Sequence, residues 1–221
     1  MNAPISSIII IDDHPIIHDG LKTLLATEKS LSIDAFVSSA TEALETLTTL
    51  SPDLAIIDLS LGDSDGTYLI QKIHNQYPKI RILVYSMSEE KLFGERVATA
   101  GARGYVMKTS GAAILKAAIY SILDGDLYFS DSVKKRVLKK EVGRGSDATT
   151  VLDNLSNREM DVFKLVGQGL DTITIGSRLN ISKNTVDTHR INIKNKLDLE
   201  SGKALDRLAY EVIMKSLIPK K

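Results

Sequence analysis

Three aspartates, a serine and a lysine in the first half of the chain are the residues best suited to chemistry. Asp12 and Asp13 follow the apolar run from Ile8 to Ile11, and Asp58 closes a second run at 54–58. Ser86 lies just beyond a run at 80–85, and Lys108 ends the stretch that begins at Gly104. Carboxylates brought together repel and raise one another's pKa, and their oxygens are the ligands that a hard divalent cation such as Mg²⁺ takes. A metal and an ammonium can neutralise phosphoryl oxygens while a hydroxyl bonds one of them, so the set suits phosphorylation of a carboxylate. One aspartate at a strand end reads as a helix cap or a turn residue. Five suitable groups at five such positions do not.

The elements that must position them follow from periodicity. Short β-branched runs at 7–12, 33–37, 54–58, 80–85 and 104–107 predict strands. Helix-period stretches lie between and after them, near 14–27, 39–50, 65–77, 89–100 and 110–124. Five strands alternating with five helices predict an α/β fold, a five-stranded doubly wound parallel sheet. In such sheets the ligand site lies at the carboxyl ends of the strands, near the switch in strand order.

Past about residue 125 the strand signal stops. Lys134, Lys135, Arg136, Lys139 and Lys140 crowd one stretch and read as a solvated helix face, and the residues from Gly143 to Asp147 break regular structure. Residues 131–152 read as a short helix running into a linker. Four helical segments follow, near 156–168, 171–179, 182–197 and 201–216, predicting a small all-α domain. Ser156 with Glu159 can form a capping box, and Ser182 can cap the third segment. In that segment Val186, Ile193 and Leu197 form an inward stripe. Asn184, Asp187, Thr188, Ile191 and Asn195 lie opposite, flanked by Lys183, Arg190, Lys194 and Lys196. A polar face flanked by cations can enter a major groove, the cations on phosphates and the face on bases. Leu205, Leu208, Ala209, Val212 and Ile213 repeat at helical spacing in the last segment.

Composition narrows the classes. The 221 residues are 43% hydrophobic and contain no Cys, which excludes disulfide scaffolds and thiolate chemistry. Basic and acidic residues balance at 28 each, but acidic residues prevail over 1–130 and basic ones beyond, as two domains with different partners would have it. No apolar run approaches a membrane span and no signal peptide is legible, so no membrane partner and a cytoplasmic location are expected. The four histidines share no metal-ligand spacing.

Residues 1–130 resemble the receiver domain of two-component response regulators, and the opening Ile11-Asp12-Asp13-His14-Pro15 is similar to that of the NarL/FixJ subfamily. The resemblance implies that a histidine kinase phosphorylates Asp58. It also implies that Asp12, Asp13, Asp58 and the backbone carbonyl of Ser60 organise Mg²⁺. Asp65-Gly66 fits the family's Asp-Gly pair, and Ser86, Tyr105 and Lys108 match its switch hydroxyl, switch aromatic and phosphate-binding lysine. Gly62 and Thr109 stand where proline is common. A hydrolase of the haloacid dehalogenase type would place a second aspartate two residues after the nucleophile, where this chain has Ser60, so no enzyme is expected.

Residues 155–199 resemble the LuxR-type helix-turn-helix, through Leu155-Ser156-Asn157-Arg158-Glu159, Gly167-Gln168-Gly169-Leu170 and Ile181-Ser182-Lys183-Asn184-Thr185-Val186 followed by His189. The resemblance makes 182–197 a recognition helix, with Lys183, Asn184, Thr185, Asp187, Thr188, Arg190, Ile191 and Lys194 toward DNA. It makes 201–216 a dimerisation helix, through Leu205, Leu208, Ala209 and Val212. Asp187 and Ile191 occupy positions where relatives often carry basic residues. The expected organisation is a receiver over 1–130, a linker over 131–152 and a DNA-binding domain over 153–221. Phosphorylation would draw Ser86 toward the phosphate, let Tyr105 pack inward, and favour a homodimer on DNA. The alternatives are a phosphorylation-independent regulator with a vestigial pocket and, behind it, an aspartyl-phosphate phosphohydrolase.

Overall fold

The computed structural model describes residues 5–62, 64–141 and 151–217. The chain divides into two compact units, Met1–Gly145 and Ser146–Lys221. In the first, β1 (Ser6–Ile11), α1 (Pro15–Leu25), β2 (Leu31–Val37), α2 (Ala40–Thr46) and β3 (Leu54–Ile57) lead into two very short strands, β4 (Ser60–Leu61) and β5 (Ser64–Asp65). Then come α3 (Gly66–Gln76), β6 (Arg81–Ser86), α4 (Glu90–Thr99), β7 (Gly104–Met107), α5 (Ala112–Leu123) and α6 (Asp131–Glu141).

Strands β2-β1-β3-β6-β7 form one sheet in that order, and every pairing in it is parallel. Strand order reverses between β1 and β3, which opens a crevice at their carboxyl ends. The four isoleucines of β1 are buried without exception, as a parallel strand covered on both faces requires. Ile8, Ile10, Leu54, Ile56 and Leu83 pack with Leu21 and Leu25 of α1 and Leu115, Ile119 and Ile122 of α5. The alternate residues Ile9, Ile11, Ile57 and Val84 are equally buried and point to the other face.

The predicted sheet is the observed one, with shifted ends. Strands β1 and β3 stop at Ile11 and Ile57, so Asp12 and Asp58 are the first residues beyond them, while β6 runs on to include Ser86. The β4–β5 hairpin has no counterpart in the predicted elements. It turns at Gly62, whose φ of +55° lies in the left-handed region that favours glycine.

The short helix expected at the start of 131–152 is α6, and it is seated on α4. Val133 is fully buried, and a Cβ on Gly94 would stand 2.8 Å from its Cγ2. The Ser130 amide donates to Glu90 Oε1 at 2.8 Å, and Arg136 donates to the Lys91 carbonyl at 3.2 Å. The basic composition of this stretch hides the single buried valine that docks it. The rest of the expected linker, 142–150, lies outside the described residues.

In the second unit a 3-10 turn (Val151–Asn154) precedes α7 (Asn157–Gly167), α8 (Thr172–Leu179), α9 (Lys183–Lys196) and α10 (Gly202–Leu217). The capping box at Ser156 and Glu159 is present, and Asp171 and Ser182 cap α8 and α9. Asn180 ends α8 in the left-handed region at φ 53°, and a Cβ on Gly176 would stand 2.8 Å from the Ile181 carbonyl. That close approach makes the turn from α8 to α9 tight, the geometry of a helix-turn-helix. Helix α10 packs closely on α7, because Gly167 leaves no side chain between itself and the Ala209 backbone.

Candidate functional site

The crevice between β1 and β3 gathers the acidic set. Asp12 and Asp58 are buried, at 2% and 3% exposure, whereas Asp13 is exposed. The Lys108 ammonium, delivered from the end of β7, lies 2.6 Å from Asp12 Oδ2 and 2.7 Å from Asp58 Oδ2. Ion pairs this deeply buried persist only when each charge is compensated, and here one cation serves two carboxylates. The other Asp58 oxygen, Oδ1, accepts from the Ser60 amide at 3.3 Å. The Gly62 amide donates to Asp13 Oδ2 at 3.1 Å. The short hairpin therefore frames both carboxylates with backbone donors.

Asp58 is raised above the usual carboxylate range, first by burial and further by the Asp12 charge, against the opposing pull of Lys108 and a hydrogen bond with Ser86. Burial would lower Lys108, but the two carboxylates outweigh it and its pKa is raised. The lysine is charged. Both shifts belong to one coupled cluster.

Ligand atoms of Asp12, Asp13, His14 and Asp58 lie within 4.8 Å of one another. The oxygen donors fit a hard divalent cation. His14 is not among the ligands that the sequence predicts, because the spacing of histidines to one another says nothing of it. Its Nδ1 lies 3.1 Å from Asp12 Oδ1 and 2.7 Å from Asp13 Oδ1. The signal for it is its adjacency to the acidic pair.

A hydrogen-bonded path leads away from the pocket. Ser86 is fully buried, and its Oγ accepts from the Ser88 amide at 3.3 Å. The Tyr105 hydroxyl donates to the Ser88 carbonyl at 2.8 Å, and its ring is buried at 4% exposure. The next residue, Glu89, is the N-cap of α4, and Glu90 holds the start of α6. The sequence leads one to expect Tyr105 to pack inward on phosphorylation. It is inward here with an unmodified Asp58. The departure at Gly62 supplies the hairpin turn, and no peptide bond among the described residues is cis, so Lys108–Thr109 is trans.

In the second unit, Val186 and Ile193 of α9 are fully buried and Leu197 nearly so. On the opposite side Asn184, Thr188, Ile191 and Asn195 are exposed, as is Lys183, while Thr185, Asp187 and Lys194 are half-buried. Two of the flanking cations are committed elsewhere. Arg190 pairs with Asp206 of α10 at 2.7 Å, and Lys196 pairs with Glu159 of α7 at 2.7 Å. The Thr188 hydroxyl donates to the Asn184 carbonyl at 3.0 Å. The partners of Arg190 and Lys196 come from other helices, and no spacing along α9 reveals them.

The residues expected to dimerise divide. Leu205 and Ala209 are buried in the unit's own core, at 1% and 0% exposure, so they have no surface to offer a partner. Leu208 and Val212, one turn apart on α10, are half-buried. A stripe at helical spacing does not distinguish its inner edge from its outer one.

Known proteins share this organisation. Residues 8–120 match the response regulator receiver domain, and residues 153–209 match the bacterial regulatory proteins of the luxR family. A nitrate/nitrite response regulator protein homolog of Haemophilus influenzae is 31% identical over 204 residues, which cover 92% of this chain and 96% of that one. The oxygen regulatory protein NreC of Staphylococcus epidermidis is 28% identical over 211 residues, covering 92% and 96%. The structure of RcsB from Salmonella enterica serovar Typhimurium, bound to promoter rprA with the phosphomimetic BeF3-, is 26% identical with a TM-score of 0.58, covering 93% of this chain and 98% of that one. A structure of two RcsB dimers on two parallel DNAs is 25% identical with a TM-score of 0.56, covering 97% and 100%.

Proposed function

From the premise that the chain belongs to the response regulators that join a receiver domain to a LuxR-type DNA-binding domain, we propose that Asp58 is its phosphoacceptor and α9 its recognition helix. The protein is a DNA-binding transcriptional regulator of a two-component system, acting in the cytoplasm. A histidine kinase supplies the phosphoryl group: the bond from phosphorus to imidazole nitrogen breaks and a bond to an Asp58 carboxylate oxygen forms. The observation that carries this reading is Lys108, whose ammonium sits against the Asp58 carboxylate in a buried pocket.

Asp12, Asp13, Asp58 and the Ser60 carbonyl would hold Mg²⁺, with His14 beside them. When bound, the ion supplies positive charge to the phosphoryl oxygens. The chain's own residues do the remaining work. Lys108 neutralises one side of the group, and the Ser60 amide orients Asp58. Ser86 stands within reach of the same carboxylate. A phosphoryl group that bonds Ser86 draws on the residue that also receives the Ser88 amide. Differential contacts of this kind shift the population of the segment from Ser86 through Tyr105 to α4 and α6.

The active form is a homodimer on DNA, as RcsB is in its complex with two parallel DNAs. Leu208 and Val212 supply the α10 surface open to a second copy, and Lys183, Asn184 and Lys194 contribute to the DNA contact. Light scattering on size-fractionated protein with Mg²⁺, with and without beryllofluoride, tests this for wild type and Asp58→Asn. A monomer-to-dimer shift in wild type alone is expected, together with Asp58-dependent labelling by a phosphodonor. Labelling that persists in Asp58→Asn rules out Asp58 as the sole acceptor. Labelling without any change in mass or DNA affinity rules out the switch.

A further inference from the structure

The centre of the exposed face of α9 carries no cation, and Lys183 and Lys194 stand at its flank. Asn184, Thr188, Ile191 and Asn195, spaced four, three and four residues apart, share one side of the helix, and all four are exposed. Ile191 stands in the middle of that face at 56% exposure, although the helix's other aliphatic side chains, Val186 and Ile193, are fully buried. Arg190 and Lys196 are held by Asp206 and Glu159 on other helices. Asp187, at the edge of the face, carries the wrong sign for a phosphate or a guanine.

Resting on the recognition-helix reading, we propose that Ile191 is a specificity-determining residue that packs against the C5-methyl of a thymine in the major groove. The reasoning is chemical. A guanine presents two acceptors and is read by a bidentate arginine or lysine, which this face does not offer at its centre. The thymine methyl is the apolar feature of the major groove edge, and an aliphatic side chain that its own domain leaves in water is matched to it. Asn184 and Asn195, on either side of Ile191, have the amide that pairs with an adenine N6 and N7. The half-site is therefore rich in A·T pairs at the positions that α9 covers, and affinity at the Ile191 position comes from a methyl contact rather than from a hydrogen bond.

The test starts from random DNA and requires no promoter sequence. Full-length protein with Mg²⁺ and beryllofluoride is used to select duplexes from a randomised library. Each thymine of the enriched duplex is then replaced by deoxyuridine, which removes only the C5-methyl. One thymine per half-site is expected whose replacement weakens wild type about fourfold, the effect of losing one buried methyl-sized group. Ile191→Ala is expected to bind the thymine duplex about as weakly as wild type binds the uracil duplex, and to show no further loss on replacement. Ile191→Val, which keeps a branched side chain, retains part of the discrimination. Because Ile191 is exposed, both variants keep the fold, and circular dichroism checks it. A wild type indifferent to uracil at every thymine, or discrimination that survives in Ile191→Ala, overturns the assignment while leaving α9 as the recognition helix. A chain that enriches no motif overturns the recognition-helix reading itself, and this proposal with it.

Discussion

The Tyr105 hydroxyl donates to the Ser88 carbonyl at 2.8 Å while its side chain is buried. The unmodified receiver thus already contains the inward pose that the sequence ties to phosphorylation. A population-shift account accommodates this, since modification then tightens an arrangement the chain visits without it. Tyr105→Phe removes the hydroxyl and leaves the ring in place. It should lower the unfolding free energy by about 1 kcal/mol even with no phosphodonor present. Urea unfolding of the full chain measures it. If the inward pose formed only on phosphorylation, the unmodified variant would lose nothing.

Among the described residues Lys108 is the one ammonium that pairs with both buried carboxylates, so its removal takes the same cation from Asp12 and Asp58. Lys108→Met should cost about 3 kcal/mol, the range seen when one partner of a buried ion pair is deleted. Added Mg²⁺ should return part of that loss, because an ion that binds only the folded state stabilises it. Unfolding midpoints of wild type and variant with and without Mg²⁺ decide the matter. A variant as stable as wild type in metal-free buffer would show that the pocket's charge is balanced elsewhere.

Gly66 makes a prediction about the acceptor without touching a chemical group. A Cβ there would stand 2.7 Å from Leu59 Cα and 2.9 Å from the Asp58 carbonyl. Both are backbone atoms with no rotamer to give way. Gly66→Ala should push the segment that carries Asp58, lower stability by about 1–3 kcal/mol, and slow labelling by a phosphodonor. Gly20, whose Cβ would meet nothing, is the control. Equal labelling of Gly66→Ala and wild type would remove the steric explanation for the Asp65-Gly66 pair.

Much of this is legible in the sequence because it is periodic. The buried parallel strands read as apolar runs, and their ends mark where Asp12, Asp58 and Lys108 must converge. The capping box at Ser156 is a four-residue signal, and it is present as written. What the sequence hides is tertiary. Val133 docks α6 on α4 from within a basic stretch, so composition points to a solvated helix face. Arg190 and Lys196 read as flanking cations of α9, and their pairing with Asp206 and Glu159 on other helices is not encoded in that spacing. Leu205 and Ala209 differ from Leu208 and Val212 only in which side of α10 meets Gly167. His14 joins the acidic group through local chain direction, which no ligand spacing encodes.

Glu159 joins two features of the second unit and carries a pH dependence with a definite sign. It is buried at 4% exposure, accepts from the Ser156 amide at 2.7 Å, and meets the Lys196 ammonium at 2.7 Å. Burial pushes its pKa up, but Lys196 and the Ser156 amide outweigh burial, and the net shift is downward. A carboxylate depressed in the folded state contributes stability that is fully present above its unfolded pKa of about 4.3. That contribution is lost as pH falls through the lower folded value. The second unit should therefore keep its stability from neutral pH down to the unfolded pKa and lose it progressively below. Glu159→Gln should be less stable than wild type at neutral pH, and the gap should narrow on acidification as the wild-type carboxylate is protonated. Hydrogen exchange of the α7 and α9 amides across this range locates the effect, and a gap that widened toward low pH would mean that Glu159 is not the group being titrated.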